Sequence, residues 1–152
     1  MILVDSCVLI DVFDADPQWQ QWSLGALQAH QGEGLAVNAM VCAEITPSFG
    51  SVQQMQNALD LVHIAYSPLS RTAAYLAAQT FAAYRANKGT KSSTLPDFFI
   101  GAHAQTQGWT ILTRDKVITC EKYTHLTCLF VHLLRCKNGC IARYTPIFTP
   151  CS

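Results

Sequence analysis

Short, largely apolar runs alternate with helix-like segments along most of this 152-residue chain. Four such runs occupy residues 2–4, 35–37, 64–66 and 109–113. Apolar residues without polar alternation are typical of strands buried on both faces, as in parallel sheets. Strands of this kind, separated by helices, predict an α/β fold of three α/β/α layers with a central parallel sheet.

Helix start signals divide the segments between these runs. A capping side chain or a first-turn proline marks each start, because the first N–H groups of a helix have no partner within it. The predicted helices cover residues 16–29, a short segment after Asn38, residues 51–63, residues 70–86, and a segment from Pro96 to Gly108. The helix over 70–86 is rich in alanine, the best helix former.

The composition indicates one domain with its own hydrophobic core. Hydrophobic residues make up 50% of the chain and charged residues 13%. No apolar run reaches the ~18 residues that a membrane span needs. The N-terminus lacks a basic start and meets Asp5 at once, which does not match a secretory signal peptide. We therefore expect no membrane association and a cytoplasmic location.

Four acidic residues follow predicted strands or lie in the helices after them: Asp5, Glu44, Asp97 and Asp115. Parallel strands bring their carboxyl ends to one edge of the sheet, where α/β proteins bind ligands. Carboxylates gathered there repel one another, and Mg²⁺ or Mn²⁺ relieves that repulsion. One or two such ions can neutralise a phosphate and lower the pKa of bound water. The pattern predicts a metal-dependent phosphodiester hydrolase. Asp5 and Asp97 would be its principal ligands, and Glu44 and Asp115 would complete the site.

Each acid also has an ordinary structural explanation. Asp97 in the first turn of a helix is favoured by the helix dipole, and Glu44 can be an exposed helical residue. Asp115 can belong to a turn with Arg114. An acid that directly ends an apolar strand, as Asp5 does, is costly unless it has a partner. The four acids in this order therefore favour the metal site.

Three polar residues lie close to these acids in the sequence. Ser6 and Thr113 carry hydroxyl groups that are candidates for orienting Asp5 and Asp115, or for making local turn hydrogen bonds. His103 is predicted to be packed inside the fold rather than catalytic.

The charges are divided along the sequence although the net charge is zero. Residues 1–70 carry seven acids and no Lys or Arg, and residues 71–152 carry three acids and all ten basic residues, which gives −7 and +7. Solvated faces explain this division as well as an acidic metal cleft with a basic, phosphate-binding rim does. The candidate phosphate contacts are Arg85, Lys88, Lys91, Arg114 and Lys116.

A resemblance to a known family lies in four segments, which are ILVDSCVLID, AEI, LPDFFIGAHA and ILTRD. Each contains one of the acids in order, and together they resemble the acidic motifs of PIN-domain nucleases, most closely the VapC toxins of bacterial type II toxin–antitoxin systems. The resemblance implies a PIN-like α/β/α domain and an endoribonuclease that requires Mg²⁺ or Mn²⁺. It also implies inhibition by a cognate antitoxin, RNA as the molecule held by the basic residues, and a homodimer.

The end of the chain departs from that family. A closing segment of the family's kind appears as ARYTPIFTP only at residues 142–150. We therefore separate a PIN-like nuclease domain at residues 1–116 from an atypical tail at 117–152 that completes or extends it. An insertion and a frame-shifted end both explain the tail. Five of the seven cysteines lie there, but their irregular spacing and the lack of a CxxC pair argue against zinc.

Two other functions remain open on the sequence. A metal-dependent DNA nuclease of related architecture would keep the same acids. An inactive PIN-like module that binds nucleic acid would lack a principal acid, and all four are present.

Overall fold

A central sheet of four parallel strands organises the fold. The computed structural model describes residues 1–86 and 96–114, together with the backbone of residues 132–133 and 140–143. The parallel strands are β1 (Ile2–Val4), β2 (Leu35–Val37), β3 (Ile64–Tyr66) and β4 (Thr110–Thr113). They lie in the order β3-β2-β1-β4, which confirms the predicted parallel sheet.

The two middle strands are apolar throughout because helices cover both faces of the sheet. All three residues of β1 and all three of β2 are buried. Leu3 of β1 stands opposite Ala36 on one side and Ile111 on the other. The core therefore lies against both faces of the sheet, in the predicted three-layer α/β/α arrangement.

Six helices connect and cover the strands within the described ranges. They are α1 (Ser6–Phe13), α2 (Gln20–His30), α3 (Ala39–Ile45), α4 (Val52–Leu61), α5 (Arg71–Ala86) and α6 (Pro96–Gln107). Short 3-10 turns follow α2 at Gln31–Glu33 and α3 at Thr46–Ser48. None of these helices is both long enough and apolar enough to cross a membrane.

Several helix ends lie where the sequence signals predict them. Asn38 caps α3, Ser51 accepts from Gln54 N–H at the start of α4, and Ser70 accepts from Ala73 N–H in α5. Gly108 follows α6 with a φ of +65°, a left-handed conformation that glycine adopts without a steric cost. Local capping chemistry therefore sets these boundaries.

The connection between β1 and β2 differs from the prediction. Helix α1 begins at Ser6, one residue after β1, in a segment for which no helix or strand was predicted. Helix α2 begins at Gln20 rather than at residue 16. Asp16 does accept N–H groups, from Gln18 and Trp19 at 2.8 Å, but within a turn that precedes the helix. The prediction was wrong here because a side chain caps an isolated turn as readily as a helix.

Two strands from the C-terminal part of the chain extend the sheet beyond β4. Strand β6 (Cys140–Arg143) pairs antiparallel with β4, and β5 (His132–Leu133) pairs antiparallel with β6. The proposed boundary after residue 116 and the cysteine-rich segment lie otherwise outside the described residues. The division into 1–116 and 117–152 therefore stays a prediction.

The strand order places a crevice between β1 and β4. From β1 the chain moves to β2 and β3 on one side of the sheet, and then returns to β4 on the other side of β1. At such a switch point the connections leave in opposite directions, so a gap opens beyond the carboxyl ends of the two strands. Asp5 follows β1, and Arg114 follows β4, at this edge.

A buried ion pair ties α1 to the end of β4. Arg114 donates from Nε and Nη2 to the two carboxylate oxygens of Asp11, both at 2.8 Å. Ser23 of α2 donates to the same carboxylate at 2.8 Å, and the guanidinium lies 5.3 Å from the centre of the Trp19 ring. The side chain of Asp11 is 1% exposed and that of Arg114 is 31% exposed. The hydrogen bonds that Arg114 donates to Asp11 raise the pKa of Arg114, so its guanidinium stays charged.

Replacing Asp11 with asparagine tests this pair, because it removes the charge with little change in volume. We expect the free energy of unfolding to fall by about 3 kcal/mol, the lower end for a broken buried pair, since Arg114 keeps some contact with water. Urea unfolding measures the change. The control is Asp14→Asn, an exposed acid next to α1, which should change stability by less than about 0.5 kcal/mol. Equal stability of the two variants would contradict a structural role for the pair.

Candidate active site

The site begins with Asp5, which joins β1 to α1. Its backbone N–H donates to Leu112 O of β4 at 3.0 Å, and its side chain caps α1 by accepting from Ser6 N–H at 2.8 Å. Only 3% of the residue is exposed. The strand pairing and the cap together hold this carboxylate in the crevice between β1 and β4.

Three donors orient the Asp5 carboxylate. Besides Ser6 N–H on Oδ1, the hydroxyl of Thr113 donates to Oδ2 at 2.6 Å, and the thiol of Cys7 donates to Oδ2 at 3.3 Å. Each carboxylate oxygen offers about two lone pairs. Oδ2 is therefore saturated by its two donors, whereas Oδ1 keeps one lone pair for a further partner.

Burial dominates the ionisation of Asp5. Burial raises the pKa of the carboxyl above its usual value of 3.8, and the charge of Asp97 raises it further. The hydrogen bonds from Thr113, Cys7 and Ser6 lower this pKa and so oppose the rise. Burial also raises the pKa of the Cys7 thiol to about 12, with the Asp5 charge as a further cause. Cys7 therefore keeps its proton near pH 7 and acts as a hydrogen-bond donor.

Glu44 and Asp97 lie within electrostatic reach of Asp5. Burial raises the pKa of Glu44, the side-chain hydrogen bond with Ser6 lowers it, and the charges of Asp5 and Asp97 raise it further. Glu44 comes from the end of α3, and Asp97 from the first turn of α6. The fold thus brings three of the four predicted acids together, and the fourth, Asp115, lies outside the described residues.

The two hydroxyl residues connect these acids. Thr113 was expected to orient Asp115, but its hydroxyl donates to Asp5, the acid assigned to Ser6. Ser6 contacts two acids, because its backbone N–H donates to Asp5 and its side chain bonds Glu44. Side-chain pairing across the crevice, which sequence adjacency does not reveal, decides these partners.

The donor set suits a hard cation. The charges of Asp5 and Asp97 raise the pKa of Glu44, and the charge of Asp97 raises the pKa of Asp5. A divalent ion bound by the carboxylate oxygens would relieve this repulsion. Over residues 1–86 and 96–114, no three His, Cys, Asp or Glu side chains are grouped tightly enough to hold a metal ion as they stand. The described acids therefore match Mg²⁺ or Mn²⁺ in chemistry but do not by themselves form a closed coordination shell.

The predicted phosphate contacts have different positions. Arg85 is exposed near the end of α5, at the described edge of a connection that contains Lys88 and Lys91. Arg114 is held by Asp11, so its charge is largely matched within the fold. Lys88, Lys91 and Lys116 lie outside the described residues, and their roles stay predictions.

Two structural residues at this edge were not recognised from the sequence. In the sequence, Asp11 was noted only as the last residue of the segment ILVDSCVLID and as one of the seven acids of residues 1–70, although an acid within the helical sequence SCVLIDVF signals a buried partner. Asn38 was recognised as a helix cap, but not as the partner of His103, with which it forms a buried hydrogen bond. His103 is fully buried, which confirms that it is packed inside the fold.

Comparison with known proteins agrees with this fold. The family model described as "PIN domain" matches residues 2–119. A search of curated proteins found no match. VapBC2 of Rickettsia felis, bound to a DNA fragment from its promoter, shares 17% identity over 76% of this chain and 89% of its own, with a TM-score of 0.58.

Two further solved structures have the same fold. FitAcB of Neisseria gonorrhoeae shares 21% identity over 78% of this chain and 90% of its own, with a TM-score of 0.54. FitAB bound to an IR36 DNA fragment shares 22% identity over 77% and 87%, with a TM-score of 0.55. At these identities, the likeness to the solved structures establishes the fold alone.

Replacing Asp5 with asparagine should stabilise the protein in the presence of a chelator. The folded state holds the Asp5 proton to a higher pH than the unfolded state does, so stability is lost as pH rises from 3.8 through the raised pKa. Asparagine avoids that loss and still caps α1. We expect a gain of about 0.5–2 kcal/mol at pH 7, or a few degrees in Tm, which shrinks towards pH 4.

Thermal unfolding across this pH range measures the effect. Asp60→Asn, at an exposed position of α4, is the matched control and should leave Tm unchanged at pH 7. An Asp5→Asn variant that is less stable than the unmodified protein throughout the range would show that the carboxylate stabilises the fold rather than straining it.

Proposed function

The chain belongs to the PIN domain family, and on that premise we propose that it is a metal-dependent endoribonuclease and the toxin of a type II toxin–antitoxin pair. Members of the family are generally nucleases. The observation that carries the proposal is the mutual electrostatic coupling of Asp5, Glu44 and Asp97 at the switch point between β1 and β4.

Each acid has a distinct part in the proposed site. Asp5 would bind a cation through the remaining lone pair of Oδ1, while Thr113 and Cys7 hold Oδ2. Asp97 would face the same ion from the first turn of α6. Glu44 is half-buried and bonded to Ser6, so it is suited to complete the shell or to orient the attacking water. Asp115 is the proposed fourth acid.

A bound Mg²⁺ or Mn²⁺ would neutralise the phosphate oxygens and acidify a water molecule near neutral pH. The protein's own contribution is to hold the carboxylates in place before the ion and substrate arrive. Asp5 is fixed by its cap and by two side-chain donors, and this orientation spares the site a reorganisation cost during the reaction. The burial that makes the charge of Asp5 costly would also strengthen its attraction for a cation.

RNA is the proposed substrate, and DNA is the alternative. The acids would serve either substrate, because RNA and DNA present the same phosphodiester group to the cation. The family resemblance favours RNA, and the charge division offers a basic rim for its backbone, with Arg85, Lys88, Lys91 and Lys116 as candidates. Cleavage of matched RNA and DNA oligonucleotides with and without Mn²⁺ separates the ribonuclease, the DNA nuclease and an inactive binding module.

Asp97→Asn should abolish this cleavage. The amide keeps the size of the side chain but removes a ligand charge, and even the loss of a group that only orients a metal ligand costs 10–100-fold. We therefore expect a fall in the cleavage rate of at least about a hundredfold. Asp5→Asn should have the same effect, and Mn²⁺ should raise the Tm of the unmodified protein but not of either variant. Asp60→Asn is the control and should cleave like the unmodified protein. Full cleavage by both Asp97→Asn and Asp5→Asn would contradict the metal-site assignment.

An antitoxin is the proposed protein partner. Three features of α4 and its surroundings support it. Large apolar side chains are exposed at Val52, Leu61 and Tyr66, at 73%, 80% and 60%. A groove of about 560 Å³ between α3, α4 and β3 includes Val52, Met55 and Tyr66 in its lining. This surface is formed by residues from the first 70 of the chain, which carry no Lys or Arg. A segment with apolar side chains and a basic residue would therefore be complementary to it.

Val52→Asp should weaken binding of the small protein encoded beside the toxin gene by at least about tenfold, because a charge in an apolar contact must lose water without a partner. Gln53→Asp is the matched control, since Gln53 is the next residue of the same helix and is also exposed but does not line the groove. Pull-down and calorimetry measure the affinity. Equal binding by both variants would remove this surface from the partner interface.

Sedimentation should show the free toxin as a homodimer at micromolar concentrations.

A further inference from the structure

A polar trio of Asn38, His103 and Ser67 joins α3, α6 and the segment after β3. Asn38, at the start of α3, lies 3.2 Å from His103 of α6, measured from Nδ2 to Nδ1. The other ring nitrogen of His103, Nε2, lies 3.4 Å from the hydroxyl of Ser67, directly after β3. Asn38 and His103 are fully buried, and the ring of Trp109 lies 5.6 Å from the imidazole.

The hydrogen bonds decide where the His103 proton lies. Asn38 Oδ1 accepts from Met40 N–H at 3.0 Å and Val41 N–H at 3.1 Å. Its Nδ2 can only donate, so His103 Nδ1 must accept and the proton is on Nε2, where it donates to Ser67. Burial lowers the pKa of His103, which keeps the ring neutral near pH 7 and Nδ1 able to accept.

The same two helices carry two of the acids. Glu44 lies six residues after Asn38, and Asp97 lies six residues before His103. Since Asn38 contacts His103 and Glu44 is coupled to Asp97, α3 and α6 run antiparallel. Six residues of helix span about 9 Å. The Asn38–His103 hydrogen bond and the electrostatic interaction of Glu44 with Asp97 are therefore separated by similar distances along both helices.

These two interactions have opposite effects on the spacing of α3 and α6. The charges of Glu44 and Asp97 repel each other, which favours separation at the acidic end. The Asn38–His103 hydrogen bond opposes separation at the other end, and breaking it would leave a buried donor unpaired. Asn38 also caps α3, so movement of its side chain would disturb the first turn of that helix.

We propose that His103 is a positioning residue of the nuclease site, which sets the distance between Glu44 and Asp97 by tethering α6 to the cap of α3. This role rests on the proposed function, because it concerns the spacing of the same acids. His103 touches neither metal nor substrate and acts through Asn38.

Two substitutions separate the hydrogen bond from the bulk of the ring. His103→Phe keeps a ring of similar size but cannot accept from Asn38. His103→Asn is smaller, but its Oδ1 falls near the position of Nδ1 and restores the acceptor. Ile2→Val, at the buried start of β1, is a stability control, because it removes one methyl group from the core.

The binding constant for Mn²⁺, measured by calorimetry, is the first readout. We expect His103→Phe to weaken binding by about 10–100-fold, as for other residues that orient metal ligands, and His103→Asn to bind more tightly than His103→Phe despite its smaller side chain. Amide hydrogen exchange is the second readout and needs no metal. Exchange at Met40 and Val41 should become faster in His103→Phe than in the Ile2→Val control.

The outcomes are distinct. Unchanged Mn²⁺ affinity in His103→Phe overturns the proposal. So does an equal loss of affinity in His103→Phe and Ile2→Val, since that would reflect general stability. If the unmodified protein binds no Mn²⁺ and cleaves no RNA, the proposed function fails and this role of His103 fails with it. Unchanged exchange at Met40 and Val41 in His103→Phe would show independently that the tether itself is wrong.

Discussion

The buried carboxylate of Asp5 is the constraint on which the active edge of the sheet depends. It ends β1, caps α1, accepts the Thr113 hydroxyl from β4 and is coupled to the charge of Asp97. Burial raises its pKa because the charged form has lost much of its hydration. This cost agrees with the proposed cation site, since the same loss of water would make the carboxylate a stronger ligand.

Two side-chain contacts connect helix α1 and its cap to the end of β4. Asp5, at the helix start, accepts from Thr113, and Asp11, further along the helix, accepts from Arg114. Two acids six residues apart thus find partners that are neighbours in sequence. The first contact orients the proposed ligand, while the second is a buried ion pair whose role is structural. The two acids therefore differ in function although both are nearly inaccessible to solvent.

The acids reach the cleft on three elements, and their mutual repulsion must be resisted by contacts elsewhere. The cap and hydroxyl hold Asp5, Ser6 bonds Glu44, and the Asn38–His103 hydrogen bond joins the helices that carry Glu44 and Asp97. The site is thus a group of like charges kept together by neutral donors in its surroundings. The groove between α3, α4 and β3, proposed above as the antitoxin surface, shares α3 with this arrangement.

Local chemistry in the sequence determined the strands, most helix boundaries and the acids. Continuous apolar runs specify doubly buried strands, and capping side chains such as Asn38 and Ser51 act within a few residues of themselves. Tertiary structure alone decided which side chains meet across the crevice. The pairing of Arg114 with Asp11, of Thr113 with Asp5 and of His103 with Asn38 joins residues 65 to 108 positions apart. No local pattern encodes such contacts, because they depend on the order of strands in the sheet and on how the helices pack against it.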